Sequence, residues 1–189
     1  MKANSLRELY VKELQDLYDA ENQIIKALPK MIDNASSEEL QEALNEHLEI
    51  TREQAQRIQQ IFSDMGQKLK AEKCKGLEGV IKEGSDVLKD AEDDDVRDAA
   101  IIASAQKVEH YEMAAYGTVR TWAQLLGEDE AASLLQQTLD EEKEADQKLN
   151  QLAEEINVEA KEGAEAEEAE EEPARARPRK SNTRSRRVA

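Results

Sequence analysis

Four stretches of the chain place apolar residues at alternating steps of three and four, the spacing that stripes one face of an α-helix. One stripe reads Leu14, Leu17, Glu21, Ile24, Leu28 and another Leu135, Thr138, Glu142, Ala145, Leu149, Leu152. No stretch alternates apolar and polar residues long enough to suggest a strand, and three prolines and seven glycines in 189 residues rarely interrupt the helical period. An all-α fold is expected, with room for one domain and an appendage. The formal net charge of −17 argues against non-specific nucleic-acid binding by the folded part.

Ser5 with Glu8 and Ser36 with Glu39 read as capping boxes, opening a first helix to about Asn34 and a second that closes at Gly66. Pro29 is expected to kink the first helix or end it early. The short link makes the two antiparallel neighbours. Residues 67–93 read as a crossover holding a short helix around Leu77, Val80, Ile81, Val87 and Leu88. Asp95 and Asp98 then start a third long helix ending at Gly127, and Glu128 and Asp129 a fourth ending near Ile156. Two antiparallel pairs joined by one long crossover form a ferritin-like four-helix bundle over residues 1–158. Residues 159–189, acidic and then basic from Pro173, bury too little to offset the entropy of ordering. A disordered tail is expected there, with transient helix at most, and its basic end offers a weak contact for nucleic acid or an acidic partner.

Polar residues occupy positions where the stripes call for leucine: Glu21, His47, His110 or its neighbour Glu109, and Glu142. A charge facing a core costs several kcal/mol unless it is paired or bound to a metal. At ~1.5 Å per residue, Glu21 and His47 lie level, each about 13 residues from the first turn. Around the turn at Gly127, Glu142 lies about 15 residues after, and Glu112, His110 and Glu109 about 15 to 18 before. Carboxylates with imidazoles suit iron, manganese or zinc, whereas carboxylates alone favour calcium or magnesium. The expected ligands are Glu21, His47, Glu109, His110, Glu112 and Glu142, and the expected cofactor is iron, or alternatively manganese, as one ion or two. Thr51, Gln54, Gln106 and Glu141 are expected to support them by hydrogen bonding.

Each residue also has an ordinary reading. Glu21 and Glu142 would face outward in so acidic a chain, the histidines would be satisfied core or half-exposed residues, and Glu109, Glu112, Glu141 and Asp146 would belong to a solvated or i,i+4 paired face. Thr51, Gln54 and Gln106 would link helices without a metal. Tyr18, Tyr111 and Tyr116 are candidates for relaying electrons or protons, although aromatic residues in bundles more often simply pack. Cys74 receives no role. As the lone cysteine it makes no internal disulfide, and the opening MKANSLRELYVKELQ lacks the apolar run of a secretory signal. A cytoplasmic location is therefore expected, and no window approaches the roughly 18 apolar residues of a membrane span.

The segments LYDAENQIIKALPKM, EHLEITREQ, AQKVEHYEMAAYGT and LDEEKEADQKL, in that order, resemble the bacterial YciE/YciF family, a ferritin-like group long filed as a domain of unknown function. The likeness spans roughly Ser5 to Ile156, and VEHYEMAAYGT with EEKEAD is its most specific part. It implies a ferritin-like bundle, commonly dimeric, related to rubrerythrins and manganese catalases and associated with bacterial stress responses. Members are often labelled ferroxidases on the strength of the fold. By matching motifs, the resemblance points to Glu21, His47, Glu109, His110, Glu112, Glu141 and Glu142. The Glu-x-x-His motif of di-iron carboxylate proteins is missing, since Leu44 precedes His47 by three and Lys107 precedes His110 by three. That departure points to rearranged ligation or a single ion.

Three functions follow. The favoured one is a metal-dependent oxidoreductase, ferroxidase-like, in which Fe(II) or Mn(II) reacts with O2 or peroxide. A second is a non-enzymatic stress protein, dimeric through its bundle, whose basic tail touches nucleic acid or a partner. Iron storage is the third and needs a closed shell of many subunits.

Overall fold

The computed structural model describes residues 3–175 as five helices, with no strand among the described residues. They are α1 (Leu6–Asn34), α2 (Glu38–Asp64), α3 (Lys75–Asp90), α4 (Asp94–Leu125) and α5 (Asp129–Arg175). Helix α1 packs on α2 and α4, and α5 packs on α2 and α4, closing a four-helix bundle with α3 laid against α4 and α1.

Cross-links between distant residues fix the directions. Arg7 at the start of α1 pairs with Glu128 beyond the end of α4, while Asp98 near the start of α4 reaches Ser36 and Ser37 after α1. Helices α1 and α4 are thus antiparallel. Gln54 meets Glu142 and Lys148 meets Glu46, so α2 and α5 are antiparallel as well. The order is up, down, down, up, the ferritin-like connectivity, with residues 65–93 climbing the length of the bundle. Glycines at φ 63° (Gly66) and 75° (Gly127) end the turns after α2 and α4, a backbone region where glycine has no Cβ penalty.

Several expected boundaries shift. Ser5 caps α1 by accepting from the Glu8 N–H, but Glu8 returns to the Asn4 N–H. Ser37, not Ser36, caps α2. Asp93 caps α4 in place of Asp95, and Asp98, 2 % exposed, instead accepts the Ser36 and Ser37 N–H groups at 2.9 and 2.7 Å. It ties the link before α2 to the start of α4. Helix α1 continues through Pro29 to Asn34, because neighbouring helix contacts offset the one backbone bond lost. Helix α5 runs on past Ile156, the expected end of the fourth helix, to Arg175 through an alanine- and glutamate-rich stretch of high helix propensity. The basic residues from 176 onward lie outside the described residues. No described helix is long and apolar enough to cross a membrane.

The core is split in two. One apolar cluster, around Ile24, Leu28, Leu44, Ile101 and Leu149, fills one end of the bundle; another, around Leu14, Leu17, Ile58, Phe62 and Leu135, fills the other. Between them lie Glu21, His47, Thr51, Gln54, Glu109, Glu112, Thr138 and Glu142, all buried.

Candidate metal centre

Each long helix contributes to this polar layer because each stripe carries its interruption at mid-height. Helix α2 supplies His47, α4 supplies Glu109 and Glu112 one turn apart, and α5 supplies Glu142. One ligand atom from each of the four lies within 4.8 Å of every other. Glu21 of α1 stands beside them, within hydrogen-bonding reach of Glu112 once either is protonated.

The layer leaves its own polar atoms unpartnered. Both His47 nitrogens, both Glu112 carboxylate oxygens and one oxygen each of Glu21, Gln54, Glu109 and Glu142 are buried without a hydrogen bond among the described residues. Such atoms are rare in native interiors and each calls for a cause. His47 Nε2 lies 3.3 Å from Glu109 Oε1 but outside hydrogen-bond geometry. Burial foremost, then the charge of Glu142, pushes the Glu21 and Glu109 carboxyls well above the usual range; burial followed by Glu21 and Glu142 does so for Glu112. Burial also lowers His47, against the opposing pull of Glu142 and Glu141, leaving a neutral imidazole fit for ligation. A cation would take up the facing lone pairs and replace the protons that otherwise neutralise the crowded carboxyls. The donor set fits a metal ion, with carboxylates and an imidazole suiting iron, manganese or zinc.

Hydrogen bonds orient the candidate ligands. Gln54 donates to Glu142 Oε1 and, at 3.2 Å, to Glu141 Oε2. Arg57 clamps both Glu141 oxygens and donates to Thr138 Oγ1 at 3.1 Å. Burial tends to raise the Glu141 carboxyl, but Arg57, Gln137 and Gln54 outweigh it and hold it low. Tyr116 donates to Glu21 Oε1, and burial drives its phenol well above the ordinary range. Thr51 bonds the His47 carbonyl, steadying the helix rather than a ligand.

Two expected residues fall elsewhere. His110 projects outward, its side chain 67 % exposed and 3.4 Å from Asp146, because one step along α4 rotates a residue by about 100° and Glu109 takes the inward position. Gln106 bonds Asn150 at 2.8 Å and does not reach the layer. Tyr18 accepts from Gln59 and Tyr111 contacts Cys74 at 3.1 Å, both away from the ligand atoms. Arg57 escaped the sequence reading, since an arginine four residues after a glutamate on an acidic helix looks like a surface partner of Glu53, which it also meets.

A family profile for a domain of unknown function (DUF892) matches residues 5–162. Protein YciF of Escherichia coli is 46% identical over 154 residues, which cover 81% of this chain and 93% of that protein. The crystal structure of the E. coli stress protein YciF superposes with a TM-score of 0.80 at 43% identity, covering 82% of this chain and 99% of that one. A Rhodopseudomonas palustris protein named YcfI, called a candidate structural protein, matches at TM-score 0.77 and 45% identity, over 78% of this chain and 94% of that one. With the profile covering most of the chain and YciF so similar along nearly its whole length, the chain belongs to the YciE/YciF family.

Proposed function

We propose that the protein is a metal-dependent oxidoreductase of the ferroxidase kind, holding iron, or alternatively manganese, among His47, Glu109, Glu112 and Glu142. The observation that carries this reading is the convergence of buried, unpartnered donor atoms from four residues in a layer that otherwise weakens the core. The four suit one ion directly, and Glu21 beside Glu112 extends the set toward a second. A bound redox ion would supply electron transfer with O2 or peroxide. The protein's own part is to hold that chemistry in place. Gln54 keeps one Glu142 oxygen occupied so that the other points inward, and Tyr116 does the same for Glu21. The apolar clusters on either side shield Glu21, Glu112 and Glu142, each 0 % exposed, from bulk water. A role in bacterial stress, as the name of the E. coli relative has it, completes the reading, together with assembly as a homodimer.

Elemental analysis after growth in metal-supplemented medium tests it, comparing the wild type with a His47→Ala/Glu142→Ala variant. Near-stoichiometric iron or manganese in the wild type alone, with peroxide-dependent Fe(II) oxidation, is the expected result. Equal, negligible metal in both preparations removes the reading. The candidate structural role attached to the R. palustris relative favours the non-enzymatic bundle as the second reading, and the same negative result would leave that one standing.

A further inference from the structure

A cavity of about 430 Å3 opens between α1, α3 and α4 and ends against His47 and Glu109. Its size falls within the ~300–1,000 Å3 typical of small-molecule sites. Ile24, Leu28, Met31, Ile81, Leu88 and Val108 form the walls, and Lys30 and Lys89 stand among the outer lining residues. Helix α3 explains why the space is there. Only its Leu77 and Gly84 are fully buried, and Gly84 lies so close to α4 that a Cβ would meet Ser104 at 3.0 Å. The helix is pinned at those points while Ile81 and Leu88 remain half-buried along the cavity.

The inner end has its own signature. His47 is 8 % exposed and Glu109 2 %, and both imidazole nitrogens and Glu109 Oε2 lack hydrogen-bond partners. An approach lined by aliphatic side chains gives a hydrated cation nothing in exchange for its water, whereas it rewards an alkyl chain by about four-fold in affinity for each CH2 buried. The outer lysines suit an anionic head group, although Lys89 also meets Asp86.

We propose that this cavity binds an aliphatic carboxylate, its head group at Lys30 and Lys89 and its chain running inward to His47 and Glu109. The proposal goes beyond the metal-centre reading and does not depend on it, because binding of the carboxylate needs no metal.

Calorimetric titration of the full chain with hexanoate, octanoate and decanoate, with octanol as the uncharged control, provides the test in metal-free and iron-loaded protein. Affinity should rise about four-fold per CH2 until the cavity is filled. Val108→Phe, or Ala27→Phe from the opposite wall should the first not fold, should weaken octanoate at least ten-fold while melting cooperatively and taking up metal as the wild type does. Lys30→Gln/Lys89→Gln should weaken octanoate and leave octanol unchanged. Absence of chain-length dependence, wild-type affinity in a folded cavity-filling variant, or equal losses of octanoate and octanol in the lysine variant would each overturn the proposal. Metal uptake without octanoate binding sinks this inference and leaves the metal reading intact; octanoate binding with no metal uptake does the reverse.

Discussion

Glu112 concentrates the conflict within the polar layer. It is fully buried, neither oxygen accepts a hydrogen bond, and burial with the charges of Glu21, Glu142 and Glu109 raises its carboxyl well above the ordinary value of 4.5. A carboxyl whose folded value is raised stabilises the fold below its unfolded value, and that contribution is lost as pH rises through the folded one. Glu112→Gln removes the titration and places an amide donor opposite Glu21. In metal-free protein the variant should melt above the wild type by several °C at pH 8, at about 2–4 °C per kcal/mol for a chain of this size, and the difference should shrink toward pH 4.5. A gap independent of pH in thermal melts would contradict this origin. Metal content should fall in the same variant and stay at the wild-type level in His110→Ala, because His110 faces solvent. Periodicity made the layer legible: a polar residue wherever a stripe reached mid-height is hard to miss at Glu21 and Glu142. It left Glu109 and His110 unresolved, since adjacent residues differ by only about 100° and small changes in helix register decide which one points inward.

Asp98 shows at the level of elements what a local reading misses. Acidic residues at 93–95 and 98 all look like starts for the same helix, and only tertiary structure reveals that Asp98, a turn inside α4, accepts the Ser36 and Ser37 N–H groups of the link that enters α2. It holds the start of α2, the end of α1 and the first turn of α4 together. Asp98→Ala should cost about 1–3 kcal/mol, the range for leaving buried donors unpaired. Asp98→Asn, which keeps one good acceptor, should recover part of that loss in urea unfolding, and equal stability of all three proteins would show that water replaces the carboxylate at no cost. The four long helices and their connectivity were legible because each stripe is long and glycine closes two of them. Pro29 and the end of α5 were not. One missing donor does not outweigh the packing of Leu28 and its neighbours, and the helix after Ile156 depends on backbone propensity, which leaves no apolar stripe to read.

For the whole molecule, the split core links stability to metal and to pH. The layer interrupts what would be one continuous apolar interior, so the metal-free protein carries the cost of several buried carboxyls and a buried imidazole. A metal binding the folded state alone stabilises it by about 2.7 kcal/mol at a hundred-fold excess over Kd, or roughly 5–10 °C in Tm. The sign with pH follows from the groups. Glu21, Glu109 and Glu112 have raised carboxyls, so their contribution to the metal-free fold declines as pH rises above 4.5. His47 runs the other way: its imidazole is lowered from 6.5, so its contribution is present above 6.5 and fades as pH falls. Repulsion among surface carboxylates acts alike on both forms and cancels in their difference. Metal must displace the carboxyl protons, and it meets a neutral imidazole only above the lowered His47 value. The stabilisation by iron or manganese should therefore be small near pH 5 and grow toward pH 8, with protons released to a weakly buffered solution on binding. Parallel melting curves of loaded and metal-free protein across that range, or uptake without proton release, would place the ion somewhere other than this layer.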